Sequence, residues 1–144
     1  MKEDFVVKGL AHLCFVIRDL QASLDFYCGK LGLTPGFEFR RESGELFGMY
    51  LHVGGRSFIE IFQGTTEEFR EFQSYRHLSF EVDDMEATVR ELREKGVTVT
   101  DPKLGGDRAW QAWTKDPDGN PIELHCYRPD SKQVPYLRAV PLGA

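Results

Sequence analysis

The sequence has few of the features that mark secreted or membrane proteins. Only three of its 144 residues are cysteines, Cys14, Cys28 and Cys126, and none has the spacing of a structural zinc-thiolate site. An odd number of scattered cysteines favours reduced thiols and a cytoplasmic protein. The chain has no apolar run near the ~18 residues that a membrane-spanning helix needs. Its first eight residues lack the pattern of a signal peptide.

An excess of positive charge is also missing. The chain has 18 basic and 23 acidic residues, a net charge of −5, and no run of lysines or arginines. This composition argues against a nucleic-acid partner, because such proteins normally carry a basic patch. The 41% hydrophobic and 12% aromatic content is enough for a folded core. We therefore expect a globular protein whose partner is a small molecule, with no nucleic-acid or membrane partner.

The chain contains an internal repeat. The segment His12–Ala22 closely resembles His77–Ala87, which begins 65 residues later (12 to 77). A second match follows around Glu60 and Glu123, which are 63 residues apart (60 to 123). Each half therefore has one histidine near its start and one glutamate near its end, and fixed-period similarity of this kind indicates duplicated structural units.

Each half has the pattern βαβββ. Period-two alternation predicts a strand after each histidine, and apolar residues at helical spacing follow. Turn-forming residues then separate three short strand-like runs. The runs are Gly36–Arg41, Leu46–Val53 and Arg56–Phe62 in the first half, and Val97–Leu104, Arg108–Lys115 and Asn120–Tyr127 in the second. We predict an α+β fold with modules at residues 9–63 and 76–128, a linker helix at 64–75 and an extension at 129–144.

Strand alternation predicts that the four repeated residues point away from the helix-packed face of the sheet. His12, Glu60, His77 and Glu123 are each out of phase with the apolar neighbours that should pack against a helix. A carboxylate buried alone costs about several kcal/mol unless it is paired or metal-bound. Two imidazole nitrogens and two carboxylates suit a divalent ion such as zinc or nickel, with open positions for catalysis. The alternative is a metal-free binding pocket.

Four further residues are predicted to line the same cavity. Two of them share the strand face of a predicted ligand, one four positions after His77 and one two positions after Glu123, which suggests contacts with the substrate or with that ligand. A third belongs to a pair of tryptophans spaced by three, so only one of the pair can face the cavity while Trp110 packs in the core. The fourth is a cysteine without an evident base, which favours packing over nucleophilic attack. These residues are Glu81, His125, Trp113 and Cys14.

From about residue 9 to residue 127, the chain resembles the vicinal oxygen chelate superfamily. This superfamily includes glyoxalase I, extradiol dioxygenases, fosfomycin-resistance thiol transferases and bleomycin-resistance proteins. The resemblance implies two βαβββ modules that form a curved, partly closed mixed sheet around a metal cavity. The motifs that carry it are His12 with Asp19-Leu20 and Phe26-Tyr27, Phe58–Ile61, His77 with Phe80–Asp83, and Asp116–Leu124.

The ligand positions resemble glyoxalase I, or lactoylglutathione lyase, more than other branches. Dioxygenases would use only His12, His77 and Glu123, whereas Glu60 matches the fourth ligand of glyoxalase I. The resemblance implies a homodimer and a divalent metal, zinc or nickel before cobalt, manganese or iron. It also implies proton transfer beside a carbonyl through an enediolate, with Glu60 or Glu123 as general base and then acid. An Fe(II) extradiol-type dioxygenase and a metal-free binding or resistance protein are the alternatives.

Two positions depart from bacterial glyoxalase I. That enzyme usually has an arginine four residues after the first histidine, where this chain has Val16, and an asparagine four residues after the first glutamate, where it has Gly64. Both departures argue against assuming glutathione as part of the substrate. Another hydroxycarbonyl compound, such as a sugar-derived one, is the alternative.

Overall fold

A computed structural model of the protein describes residues 10–64 and 77–137. The predicted linker helix, apart from residue 64, and the last seven residues of the extension lie outside the described residues. No helix in the described ranges is long and apolar enough to cross a membrane. The elements are β1 (His12–Ile17), α1 (Leu20–Leu24) with a π-helical continuation (Asp25–Lys30), β2 (Thr34–Arg40), β3 (Leu46–Gly54), β4 (Ser57–Gln63), β5 (Leu78–Glu81), α2 (Met85–Glu94), β6 (Lys103–Leu104), β7 (Trp110–Lys115), β8 (Pro121–Cys126) and a 3-10 turn (Val134–Tyr136).

The strands form two four-stranded mixed sheets with matching topology. The strand orders are β1-β4-β3-β2 and β5-β8-β7-β6. The first strand of each module pairs in parallel with the last one, and the remaining pairs are antiparallel. The predicted α+β fold of two βαβββ modules is confirmed. The described strands of the two sheets do not close into a single barrel.

The same short-range signals start both helices. The carboxylates of Asp19 and Asp84 accept hydrogen bonds from the backbone N–H of Ala22 and Ala87, at 3.1 and 3.0 Å. Such N-caps stabilise a helix by about 1 kcal/mol, because they satisfy N–H groups that have no partner inside the helix. After α2, Gly96 adopts a φ of +82°, the left-handed conformation that ends many helices.

One predicted strand is much shorter than the alternation suggests. The run Val97–Leu104 contributes only β6, Lys103–Leu104, to the sheet. Its valines do alternate inward, with Val97 8% and Val99 5% exposed. However, the carbonyl of Val99 accepts a hydrogen bond from the Arg93 side chain at 2.7 Å instead of from a strand. Pro102 has no N–H to donate to a ladder. Burial therefore accounts for the alternation, while the run meets β7 through a backbone bond from Thr100 to the Trp113 carbonyl, at 3.0 Å, and through threonine side chains instead of a regular ladder.

The two modules pack together through their helix-bearing sides. One continuous hydrophobic core contains residues of both sheets and both helices. Tyr27 is fully buried in it and donates a hydrogen bond to Asp116 in the turn between β7 and β8, at 2.7 Å. Arg18 contacts Asp118 in the same turn. Since the helices occupy this shared core, the opposite face of each sheet points away from the other module.

Candidate metal centre

His12 and Glu60 lie together on the outward face of the first sheet, and we call them the first half-site. His12 Nε2 lies 3.7 Å from Glu60 Oε1, across the parallel pair β1 and β4. The other ring nitrogen, Nδ1, is hydrogen-bonded to the hydroxyl of Tyr50 at 2.9 Å. With Nδ1 occupied, Nε2 is the nitrogen left to bind a metal ion. Tyr50 was not predicted from the sequence, although it shares the strand face of its register partner Glu60.

Cys14 is directly beside Glu60 in the β1–β4 register. Its pKa is raised to about 11, first by partial burial and then by a hydrogen bond to Glu60 and the negative charge of that carboxylate. The thiol is therefore protonated at neutral pH. A protonated thiol is a poor nucleophile, which argues for a packing and hydrogen-bonding role.

His77 and Glu123 lie on the outward face of the second sheet, and we call them the second half-site. Glu123 Oε1 accepts hydrogen bonds from Ser79 Oγ at 3.0 Å and from His125 Nδ1 at 2.7 Å. Glu123 Oε2 is consequently the oxygen left for a metal ion. His77 is exposed and lies edge-on to the ring of Trp113, with 4.8 Å between ring centroids.

Aromatic rings surround the first half-site. Tyr50 stacks on Phe37 with 4.6 Å between ring centroids, and Phe62 packs on Phe39 at 4.9 Å. Gly48 makes room for this packing, because a Cβ there would lie 2.5 Å from the Phe62 ring. We call this set the aromatic wall. It consists of Phe37, Phe39, Tyr50, Phe58 and Phe62.

Polar groups surround the second half-site. His125 Nε2 faces Asp107 Oδ2 at 3.7 Å, and its ring meets the ring of Tyr127 edge-on. Hydrogen bonds from the Gln133 side chain and the Ala109 backbone N–H hold the pKa of Asp107 below its usual range. Asp107 therefore presents a negative charge to the ring of His125. Sequence reasoning missed Asp107 because it lies in a turn, outside any strand alternation.

The other predicted cavity residues have different surroundings. Trp113 contacts His77, as described, whereas Glu81 lies exposed on the edge strand β5, in register with His125. Partial burial, followed by the negative charge of Glu81 and other carboxylates, raises the pKa of Tyr127. The prediction that Trp110 packs in the core is wrong, because it is 36% exposed and lies beneath the Arg128 guanidinium.

The structure does not bring the four predicted ligands together within one chain. In residues 10–64 and 77–137, no group of three or more His, Cys, Asp or Glu side chains is arranged to hold a metal ion. Each half-site instead offers one imidazole nitrogen and one carboxylate, half of the donor set for a zinc-type ion. Strands β1 and β5 are both edge strands, so each half-site lies at a sheet edge.

The fold and the half-sites define a class of tandem βαβββ proteins with one histidine–glutamate pair on each sheet. A family model for the Glyoxalase/Bleomycin resistance protein/Dioxygenase superfamily matches residues 9–124. The chain belongs to this superfamily, which confirms the family resemblance seen in the sequence.

Individual relatives are similar over most of their length. The chain is 33% identical to the uncharacterized protein YwkD of Bacillus subtilis over 128 residues, which cover 83% of this chain and 98% of that protein. It is 30% identical to a probable lactoylglutathione lyase of Synechocystis over 122 residues, covering 80% and 92%. A solved glyoxalase family protein from Enterococcus faecalis superposes with a TM-score of 0.69 at 29% identity, covering 84% and 99%.

Proposed function

We propose that this protein is a metal-dependent lyase or isomerase of the glyoxalase I type, which moves a proton beside the carbonyl of a small vicinal-oxygen substrate. The observation that carries the proposal is the repeated histidine–glutamate pair, one on the outward face of each sheet. Glu60 supplies the fourth donor that a three-ligand dioxygenase site would not need. The similarity to a probable lactoylglutathione lyase supports the same reaction type.

The donor set fits a divalent ion of borderline softness. Two imidazole nitrogens and two carboxylates suit zinc or nickel best, and they also accept cobalt, manganese or iron. His12 Nε2, Glu60, His77 and Glu123 Oε2 would hold the ion. When bound, it would act as a Lewis acid that polarises the vicinal oxygens of the substrate.

We assign the proton transfer to Glu60 and a holding role to Glu123. Two hydrogen bonds fix Glu123 Oε1, one from a hydroxyl and one from an imidazole. The corresponding strand neighbour of Glu60 is the Cys14 thiol, and a thiol is a weak donor. Glu60 is therefore the carboxylate that moves more easily to within ~3 Å of a substrate carbon, the reach that a general base requires.

The aromatic wall sets the surroundings of that proton transfer. It lies on the sheet face that carries Glu60, since Phe58 and Phe62 flank this residue at two-residue spacing in β4. Apolar rings beside the base exclude water and strengthen local electrostatic interactions. Val16 and Gly64, where bacterial glyoxalase I has an arginine and an asparagine, support a hydroxycarbonyl substrate other than a glutathione adduct.

We further propose a homodimer in which the first half-site of one subunit meets the second half-site of its partner. Within one chain the two outward faces point away from the shared core, whereas two-fold pairing of chains would create two equivalent complete sites. The three free cysteines support a cytoplasmic location for this reaction.

A mixing experiment tests the metal site and its location together. His12→Ala and His77→Ala should each lose bound zinc or nickel. Their co-expression should restore about a quarter of the wild-type metal content, because half of the dimers are mixed and each has one intact site. Co-expressed His12→Ala and Glu60→Gln form the matched control, since both changes damage the first half-site and no mixed dimer has an intact site.

Each other outcome contradicts a specific part of the proposal. A wild-type protein that takes up no divalent metal after stripping and reloading would contradict the enzyme assignment and favour a metal-free binding protein. Wild-type metal binding without restoration in the mixed dimers would contradict the site shared between subunits. Bound iron together with oxygen consumption on catechols would assign a dioxygenase instead.

A further inference from the structure

We infer that the C-terminal segment Ser131–Gln133 positions the metal ligand Glu123, acting through Asp107 and His125. The inference rests on the proposed function, because it treats Glu123 as a ligand. Four polar side chains form the connection, from Glu123 to Gln133. His125 and this segment lie beyond residue 124, where the match to the family model ends.

The first link fixes which oxygen of Glu123 can bind a metal. The bond between His125 Nδ1 and Glu123 Oε1 is short, at 2.7 Å, and both side chains are 14% exposed. An ionised carboxylate only accepts hydrogen bonds, so Nδ1 carries the hydrogen. Together with the bond from Ser79, this link directs Oε2 toward the ion. Partners of this kind orient ligands and tune their basicity.

The second link holds the ring of His125. Its Nε2 has no hydrogen-bond partner among the described residues, and it lies 3.7 Å from Asp107 Oδ2. This separation is too long for a hydrogen bond but short enough for electrostatic attraction. Asp107 thus favours the orientation of the ring in which Nδ1 points at Glu123.

The third link ties Asp107 to the C-terminal segment. Gln133 Nε2 donates to Asp107 Oδ2 at 2.6 Å, and the backbone N–H of Lys132 donates to the Asp107 carbonyl at 2.9 Å. Ser131 is only 3% exposed, and its hydroxyl donates to the Arg108 carbonyl at 2.8 Å. The segment is therefore anchored beside the second half-site, and the first half-site has no such support among the described residues.

Zinc affinity of the full-length protein tests this connection. A competition titration with a chromophoric chelator should show a roughly 10–100-fold weaker affinity for His125→Phe, the usual loss when a ligand's supporting partner is removed. His125→Asn should recover most of the affinity, because its amide N–H can replace Nδ1. Gln133→Leu should cost roughly several-fold, as a more distant partner. Lys132→Ala is the matched control, since Lys132 contacts Asp107 through its backbone N–H, which the change keeps, and its affinity should not change.

The double variant separates a positioning role from a purely structural one. If Gln133 acts through His125, then Gln133→Leu should have no further effect on affinity in the His125→Phe background, whereas independent effects would add. The melting temperature of each metal-free variant controls for folding. Should His125→Phe fail to fold, Gln133→Leu in the wild-type and His125→Asn backgrounds decides the question: zinc affinity should fall in the wild-type background and stay unchanged in His125→Asn, whose side chain has no second nitrogen to face Asp107.

Two results overturn the inference, and they are distinguishable. Wild-type zinc binding with unchanged affinity in Gln133→Leu and His125→Phe would contradict the positioning role and leave the proposed function intact. Absence of zinc and nickel binding in the wild type would contradict the proposed function and this inference together.

Discussion

The two half-sites share one backbone plan but differ in the residues that surround their ligands. Cys14 and Ser79 are the corresponding β-strand neighbours of Glu60 and Glu123. Phe62 and His125 lie two positions after these glutamates. In the first module these neighbours are a weak thiol donor and an apolar ring. In the second they are a hydroxyl and an imidazole that both bind the carboxylate. The comparison shows that the duplicated sheet preserves the positions of the candidate ligands, while neighbouring side chains decide how firmly each candidate is held.

The histidines show the opposite asymmetry. Tyr50 and Trp113 hold corresponding positions, opposite the two glutamates. Tyr50 hydrogen-bonds to His12, whereas the indole N–H of Trp113 donates to Gln111 at 3.2 Å and leaves His77 with a ring contact. Each half-site therefore combines one firmly held ligand with one that is held less firmly. Of the two carboxylates, Glu60 is the less firmly held, as the proposed proton transfer by Glu60 requires.

The largest expected effect tests the packing of the aromatic wall. Gly48→Ala should destabilise the protein by roughly 1–3 kcal/mol, because the new Cβ would lie 2.5 Å from the Phe62 ring and 2.8 Å from the Ile61 carbonyl. Urea unfolding measures this change. Gly29→Ala is the control, since no atom lies within 4 Å of its added Cβ. Gln111 holds the corresponding position in the second module. Equal stability of the two variants would show that the first module also accommodates a side chain there.

A smaller effect tests the support of His12. Tyr50→Phe keeps the ring stacked on Phe37 but removes the hydroxyl bonded to His12 Nδ1, so zinc affinity should fall about tenfold. Tyr136→Phe makes the same change at a side chain that is 82% exposed and should leave the affinity unchanged. Unaltered zinc binding in Tyr50→Phe would contradict the conclusion that His12 is held more firmly than His77.

The smallest effect concerns the thiol beside Glu60. The pKa of Cys14 is about 11, so its alkylation should be slow near pH 8 and should accelerate as the pH rises toward that pKa. Glu60→Gln removes the charge that contributes to the raised pKa. The thiolate fraction should then increase, and alkylation of Cys14 at about pH 8 should be roughly several-fold faster. Peptide mass spectrometry measures the rate in both proteins.

Cys28 serves as the internal control in that experiment. Its pKa is raised by burial alone, so its rate should be the same in both proteins. An unchanged Cys14 rate in Glu60→Gln would contradict the interaction between the Glu60 carboxylate and the thiol.

Most of the fold could be predicted from the sequence because its signals are local. The alternation after His12 and His77, the capping carboxylates of Asp19 and Asp84 and the repeated spacing reflect interactions within a few residues. The extent of β6 could not be predicted, because whether a buried alternating run joins a sheet depends on which groups bond its backbone. Here the Arg93 side chain occupies one of those carbonyls.

The candidate site also has one part that local sequence signals predict and another that depends on tertiary contacts. The sequence by itself determined that His12, Glu60, His77 and Glu123 leave the helix-packed faces, since strand period fixes the direction of each side chain. Only the tertiary structure decided that the helices share one core and separate the two pairs. It also decided which groups support each ligand, because Tyr50, Asp107 and Gln133 reach the half-sites through folding contacts that local periodicity does not encode.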